Sequence, residues 1–214
     1  MENKFNFFDK VYIIHDTTKV DRSALVDDLI YKLNITNYEI IEPNYSFADG
    51  GESCTDSHIR IIQDAVDNNY ANIFIFEDDV VLNQTNEIIE VDLEQHLDTC
   101  FNFMSHNEYS LFYFDNTRFQ IYNIEHLLVK IDRFPIKNIL KCFNKSYTHS
   151  YAINSKVFNA ILLDYKETKH NINILLRRVQ HIYNDSYMYS NGIFDQKLNL
   201  PSDTVGKVTE LQNV

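Results

Sequence analysis

The stretch FIFEDDVVL, residues 74–82, decides the fold. An apolar run that begins at Ile73 ends abruptly in Glu77-Asp78-Asp79. Unbroken apolar character over so short a run predicts a strand covered on both faces, here Ala71 to Phe76. Three adjacent carboxylates repel one another, and each seeks water or a positive partner. Two readings of the triplet stand: the strand emerges into solvent, or a cation sits at its carboxyl end. In open α/β sheets, ligands bind outside the carboxyl ends of the strands. Alternate residues of an extended segment point the same way, so Glu77 and Asp79 are expected to face one side together. Two such oxygen ligands form half of a hard-cation site of the kind that takes Mg²⁺ or Mn²⁺.

Working outward, Val11-Tyr12-Ile13-Ile14 reads as the first strand, broken by His15-Asp16-Thr17-Thr18. Leu25, Val26, Leu29, Ile30 and Leu33 recur at helical spacing, with Asp21 to Ser23 near the helix start. Tyr38 to Ile41 reads as a second strand. Gly50-Gly51 marks a turn before a helix whose apolar face carries Ile59, Ile62, Ala65 and Val66, with Thr55, Asp56 and Ser57 as candidate caps. Beyond the triplet, helices are expected over Ile88–Phe103, Ser155–Leu163 and Asn171–Tyr183. Strands are expected over Ser110–Phe114, Phe119–Tyr122 and Tyr147–Ile153, and an irregular tail from Gly192. Strands alternating with helices in the first half predict an α/β sandwich with a mainly parallel central sheet.

The composition bounds the rest. With 214 residues, no internal repeat and no Ser/Gly-rich linker, the simplest organisation is one domain over residues 1–214. A net charge of -12 argues against nucleic acid as a partner, since the overall field repels phosphate. The three cysteines, Cys54, Cys100 and Cys142, form no CxxC pair and predict reduced thiols in a cytoplasmic setting. The opening MENKFNFFDK lacks the apolar core of a signal peptide, and no apolar run is long enough to span a bilayer. The abundance of Asn, Ile, Tyr and Phe reflects AT-rich codons, as in an AT-rich bacterium or a large virus.

The triplet gains meaning from its neighbours. Residues 53–82 read SCTDSHIRIIQDAVDNNYANIFIFEDDVVL, and this block resembles glycosyltransferase family 25, the lipopolysaccharide-type and collagen-type sugar transferases. In that family a Gly-Cys-x-x-Ser-His element opens a helix, and a following apolar strand ends in Glu-Asp-Asp. Cys54, Ser57 and His58 match the first element, with Ser53 in place of the glycine, and Glu77, Asp78 and Asp79 match the second. Val11–Ile14 followed by Asp21-Arg22 is similar to the family's opening strand and Asp-Arg, although His15-Asp16-Thr17 stands where the family usually has an Asn-Leu pair. Thr148 to Ser155 resembles its Thr-His-x-Tyr-x-Ile-x-Ser strand. Phe194-Asp195-Gln196 and then Ser202-Asp203 resemble its closing Gln and Ser-Asp. The resemblance covers nearly the whole chain.

The resemblance implies a GT-A fold, the Rossmann-like sandwich of nucleotide-diphospho-sugar transferases. It implies a UDP-sugar donor, Mn²⁺ or Mg²⁺, and transfer of a hexose to a glycan or hydroxylated protein acceptor. Glu77 and Asp79 then hold the ion, with His149 as a late ligand, and imidazole suits Mn²⁺ better than Mg²⁺. Ile14, His15, Arg22, Ser57, His58 and Asp78 are assigned to the donor. Arg22 suits an anion, His58 acts near a helix N-terminus, and Asp78 holds the ribose or an ion-bound water. His58 and His149 also have a structural reading, as histidines satisfied by hydrogen bonds. An inverting transfer needs a base within reach of the acceptor hydroxyl. Asp115, Asp185 and Asp195 are the candidates; Asp185, in the acceptor half, is favoured, and Asp79 is catalytic through its ion. The competing reading is a degenerate GT-A domain that binds a glycan or protein partner without turnover. Ser53 and the His15-Asp16-Thr17 loop favour it, and the intact triplet opposes it. A nucleotidyltransferase would carry a Gly-rich phosphate loop near the first strand, and none is present.

Overall fold

A computed structural model describes residues 3–47, 50–83, 90–115 and 138–197. In chain order the elements are β1 (Lys10–Ile14), α1 (Val20–Leu33), β2 (Tyr38–Ile41), α2 (Gly50–Asp67), β3 (Asn72–Glu77), β4 (Val80–Leu82) and α3 (Glu90–His106). Then follow β5 (Leu111–Tyr113), β6 (Ile139–Lys141), β7 (Ser150–Asn154), α4 (Phe158–Thr168), α5 (Ile172–Tyr183), β8 (Ser186–Tyr189) and β9 (Phe194–Gln196). The two apolar runs of the first half lie side by side: β1 pairs in parallel with β3, and Ile14 stands opposite Glu77. The strand order is β2-β1-β3-β7-β5-β8-β6. Only β7 and β6 oppose the direction shared by β1, β2, β3, β5 and β8. The result is the expected α/β sandwich with a mostly parallel sheet, and the shared direction gives it one carboxyl edge.

Period-two alternation divides the core. Phe74 and Phe76 of β3 point to one face, where α1 and α3 bring Val26, Leu29, Leu33, Leu97 and Phe101. Ile73 and Ile75 point to the other, where α2, α4 and α5 bring Ile61, Ile62, Ala65, Phe158, Leu175 and Leu176. The first face is unusually aromatic. Phe74 has ring centroids of Phe76, Phe114, Phe8 and Phe5 at 4.4, 5.0, 5.1 and 5.2 Å, mostly edge-on or tilted as ring quadrupoles prefer.

Three boundaries depart from expectation, each for a local reason. Gly50-Gly51 is no turn; it opens α2. Thr55 and Ser57 therefore lie inside the helix and do not cap α2, although the Thr55 hydroxyl accepts the N–H of Ile172 at the start of α5, 3.2 Å. Their hydroxyls instead donate back to the carbonyls of Gly51 at 2.8 Å and Ser53 at 3.0 Å. The strand expected from Tyr147 starts only at Ser150, because Tyr147 adopts φ 90, outside the extended region. The tail beyond Gly192, expected to be irregular, forms β9, which pairs antiparallel with β4 directly after the acidic triplet. Asn171 caps α5, its side chain accepting from the Ile174 N–H at 3.1 Å. The expected Phe119–Tyr122 strand, the Ile88 start of the third helix and Ser202-Asp203 lie outside the described residues. Among the described residues no helix is long and apolar enough to cross a membrane.

Phe74→Ala, at the centre of the ring cluster, is expected to lower the unfolding free energy by about 3–5 kcal/mol in urea titration. Tyr31→Ala, on a residue 84% exposed, is expected to stay within about 0.5 kcal/mol. A Phe74 loss no larger than the Tyr31 loss would refute the core assignment.

Candidate active site

The parallel register brings the ends of β1 and β3 to one edge, and a cleft of about 370 Å³ opens there. Ile14, Asp16, Lys19 and Arg22 line it from the end of β1 and the start of α1. Pro43 to Tyr45 and Phe47 come from the loop after β2; Gly50, Ser53, Cys54 and Ser57 come from the first turns of α2. Glu77, Asp78 and Asp79 form the end wall with Gln196 of β9. Of the residues expected at the site, Ile14, Arg22, Ser57 and the whole triplet meet in this cleft. His15, His58 and His149 lie behind its wall, all buried.

The triplet does not behave as a repeating strand. β3 ends at Glu77, and Asp78 and Asp79 form a turn into β4. The alternation that would set Glu77 and Asp79 side by side stops there, and each acid finds its own environment. Asp78 accepts from the Arg22 guanidinium, from the Asp16 N–H at 3.4 Å and from His15, whose Nδ1 lies 2.9 Å from Oδ2. His15 is held from behind by Ser23, Nε2 to Oγ 2.9 Å. All three side chains are nearly inaccessible. Three residues assigned to the donor are thus engaged with one another, and tie the start of α1 to the end of β3.

Glu77 turns toward α2 and β7. Its Oε1 accepts from the Thr148 hydroxyl and lies 3.3 Å from His58 Nε2, while its backbone N–H donates to the His149 carbonyl at 3.0 Å. Burial raises its pKa, but the His58 hydrogen bond and charge, His149 and Thr148 outweigh burial and hold the carboxyl down to about 2. Asp79 goes the other way. Burial first, then the neighbouring Glu77 charge, push it up to about 6 despite the Gln196 hydrogen bond. Gln196 Nε2 donates to Oδ2 at 2.7 Å. Asp79 Oδ1 is buried and has no hydrogen-bond partner among the described residues.

His58 belongs to the interior of α2 and not to its N-terminus, since the helix begins at Gly50. Its ring bridges Glu77 and the Tyr151 hydroxyl, with Nδ1 3.0 Å from that oxygen. His149 presents Nε2 to Asp115 Oδ1 at 3.7 Å, and Asp115 is ion-paired with Lys145 in full burial. Asp195 uses Oδ1 to accept its neighbour's N–H at 2.9 Å. Asp185 is a correction. It precedes β8, which runs parallel to β5 and in the sense of β3, so it lies at the amino edge, opposite the triplet. There its carboxylate pairs with Lys156 and its carbonyl accepts from Ser110. Sequence reasoning missed Lys19, Tyr45, Phe47 and Gln196. Only Gln196 had a signal, its place in a closing motif.

The profile of Glycosyltransferase family 25 (LPS biosynthesis protein) matches residues 1–188. Among solved structures the chain is similar to a glycosyltransferase involved in the glycosylation of the major capsid of PBCV-1. The TM-score is 0.51 at 10% identity, over 87% of this chain and 91% of that one, a likeness of fold. No curated protein matches the sequence.

Removing one member of a buried charge cluster strands the others, at about 3–5 kcal/mol. Arg22→Met is therefore expected to lose that much stability by urea unfolding, and Arg22→Met/Asp78→Leu to recover part of it. If the double variant simply added two losses, Asp78 would not be the anchor described.

Proposed function

Since the chain belongs to glycosyltransferase family 25, and is thus an enzyme that transfers glycosyl groups, we propose that it moves a hexose from a UDP-sugar to a glycan or hydroxylated protein acceptor with the help of Mn²⁺ or Mg²⁺. The observation that carries this reading is Asp79 Oδ1, a buried carboxylate oxygen at the cleft wall without a hydrogen-bond donor among the described residues. Such an oxygen is costly to bury unless something positive meets it. A hard divalent ion ligated by oxygen fits that need. Glu77 lines the same cleft, held deprotonated by its neighbours, and the His149 ring, behind the wall, is near enough for its charge to act on both Glu77 and Asp79. These three are the proposed ion-holding set. When bound, the ion supplies neutralisation of the charge that gathers on the departing nucleoside diphosphate.

The chain's own groups divide the remaining work. Tyr45 and Phe47 offer ring faces to the base. Lys19 supplies an ammonium beside the cleft for phosphate, and α2 starts there at Gly50, an end that favours anions. Asp78, Arg22 and His15 hold the wall in place and leave the reacting groups to others. Gln196 orients Asp79 through Oδ2, so that Oδ1 is the oxygen left for a ligand.

A second reading, a domain that binds a glycan or protein partner without turnover, draws on one observation. Two of the three acids are already engaged inside the fold, Glu77 by Thr148 and His58 and Asp78 by Arg22 and His15.

Release of UDP from a panel of UDP-sugars with Mn²⁺ separates the two readings. Turnover with at least one donor is expected. Asp79→Ala is expected to lose at least tenfold in kcat/KM, about 1.4 kcal/mol or more of transition-state stabilisation, with an unchanged circular-dichroism melt. Full turnover in that variant removes the ion role of Asp79. No turnover in either protein with any donor favours the second reading.

A further inference from the structure

We propose that Cys54, His58 and Glu77 form a site for a thiophilic divalent ion such as Zn²⁺, distinct in chemistry from the hard-ion position at Asp79. The proposal shares Glu77 with the transfer reading but does not rest on it. Cys54 and His58 are four residues apart on α2, hence on one helix face. Glu77 meets them from the end of β3. One sulfur, one ring nitrogen and one carboxylate oxygen of the three lie within 4.8 Å of one another. His58 Nε2 and Glu77 Oε1 are 3.3 Å apart. That is long for a charge-assisted hydrogen bond, which runs about 2.7–2.9 Å. It matches the edge of roughly 3.3 Å between nitrogen and oxygen ligands that tetrahedral Zn²⁺ sets with bonds of about 2.0–2.2 Å.

The surroundings are those a metal histidine and a metal carboxylate require. A ligating imidazole uses its other nitrogen to donate to a fixed partner, which sets the tautomer. His58 Nδ1 lies 3.0 Å from the hydroxyl of the fully buried Tyr151. Thr148 donates to the Glu77 carboxylate and fixes that ligand in turn. Cys54 and Glu77 both line the cleft, so an ion there has an open fourth position toward solvent. A thiolate–imidazole–carboxylate set selects a softer ion than Mg²⁺ or Mn²⁺. On binding, the Cys54 thiol releases its proton to solvent and the sulfur takes the metal. The ring proton of His58 leaves Nε2 and is carried on Nδ1, which then donates to the Tyr151 oxygen. Of the three cysteines Cys54 alone is not buried, so the thiolate of such a site has a single source.

The test is titration of the metal-free full chain with Co²⁺ alone. One equivalent is expected to bring up a sulfur-to-cobalt charge-transfer band and the strong visible bands of four-coordinate cobalt. Cys54→Ser, or alkylation of Cys54 in the native chain, is expected to abolish the sulfur band. Tyr151→Phe is expected to keep it while weakening Zn²⁺ about tenfold in competition with a chromogenic chelator. Equimolar Mn²⁺ is expected to leave the cobalt spectrum unchanged. Absence of the band, its survival without a Cys54 thiol, or displacement by equimolar Mn²⁺ each overturns the proposal. No nucleotide or sugar is present, so failure here leaves the transfer reading standing, and failure of donor turnover leaves this site standing.

Discussion

One carboxylate holds the working edge together. Asp78 is nearly inaccessible, yet it receives the Arg22 guanidinium, the His15 ring and the Asp16 N–H. Those groups belong to the loop after β1 and the first turns of α1, whereas Asp78 belongs to the turn after β3. The cluster adds to the β1–β3 ladder and to the packed apolar face of α1 in fixing α1 over the sheet edge. With it, the cleft gains a wall whose own charges are already matched. The arrangement is geometrically demanding, since a buried charge set stabilises only when every member is in place.

The same anchor accounts for how three neighbouring acids coexist. Their mutual repulsion is relieved by sending each carboxylate to a different part of the fold. Glu77 goes to α2 and β7, Asp78 to α1, and Asp79 to β9. The outcomes diverge accordingly. Glu77 is held strongly acidic, and Asp79 is pushed up by burial and by the Glu77 charge beside it. Carboxylates only two positions apart are thereby given different chemistry by environment alone, the pattern expected of a site built to handle charge.

How much of this could be read beforehand follows from the range of the interactions. The β1 and β3 runs and the helices α1 and α5 are local patterns, and they were legible. So was the acidic triplet at a carboxyl edge, because strand direction and the sheet edge follow from the alternation of strands and helices. The start of α2 was not. Gly50-Gly51 reads as a turn locally, and the Thr55 and Ser57 hydroxyls that look like caps bond backward within the helix instead. Asp185 was misplaced because sequence order carries no information about which end of β8 faces the cleft. The parallel pairing of β8 with β5 decides that, and it is a tertiary fact. The separate fates of Glu77, Asp78 and Asp79 were equally hidden, since their partners come from four distant segments.

The bond between Gln196 and Asp79 spans 117 positions of the chain. Ribosomes add roughly 5–20 residues per second, amino terminus first. Asp79 is therefore added to the chain roughly 6–23 s before the amide that will steady it has been made. Through that interval β4 has no β9 beside it, and its unpaired backbone faces whatever the nascent chain meets. β9, the last strand among the described residues, pairs with β4 and brings Gln196 to Asp79, so the acidic corner is finished only after everything between the two has been made.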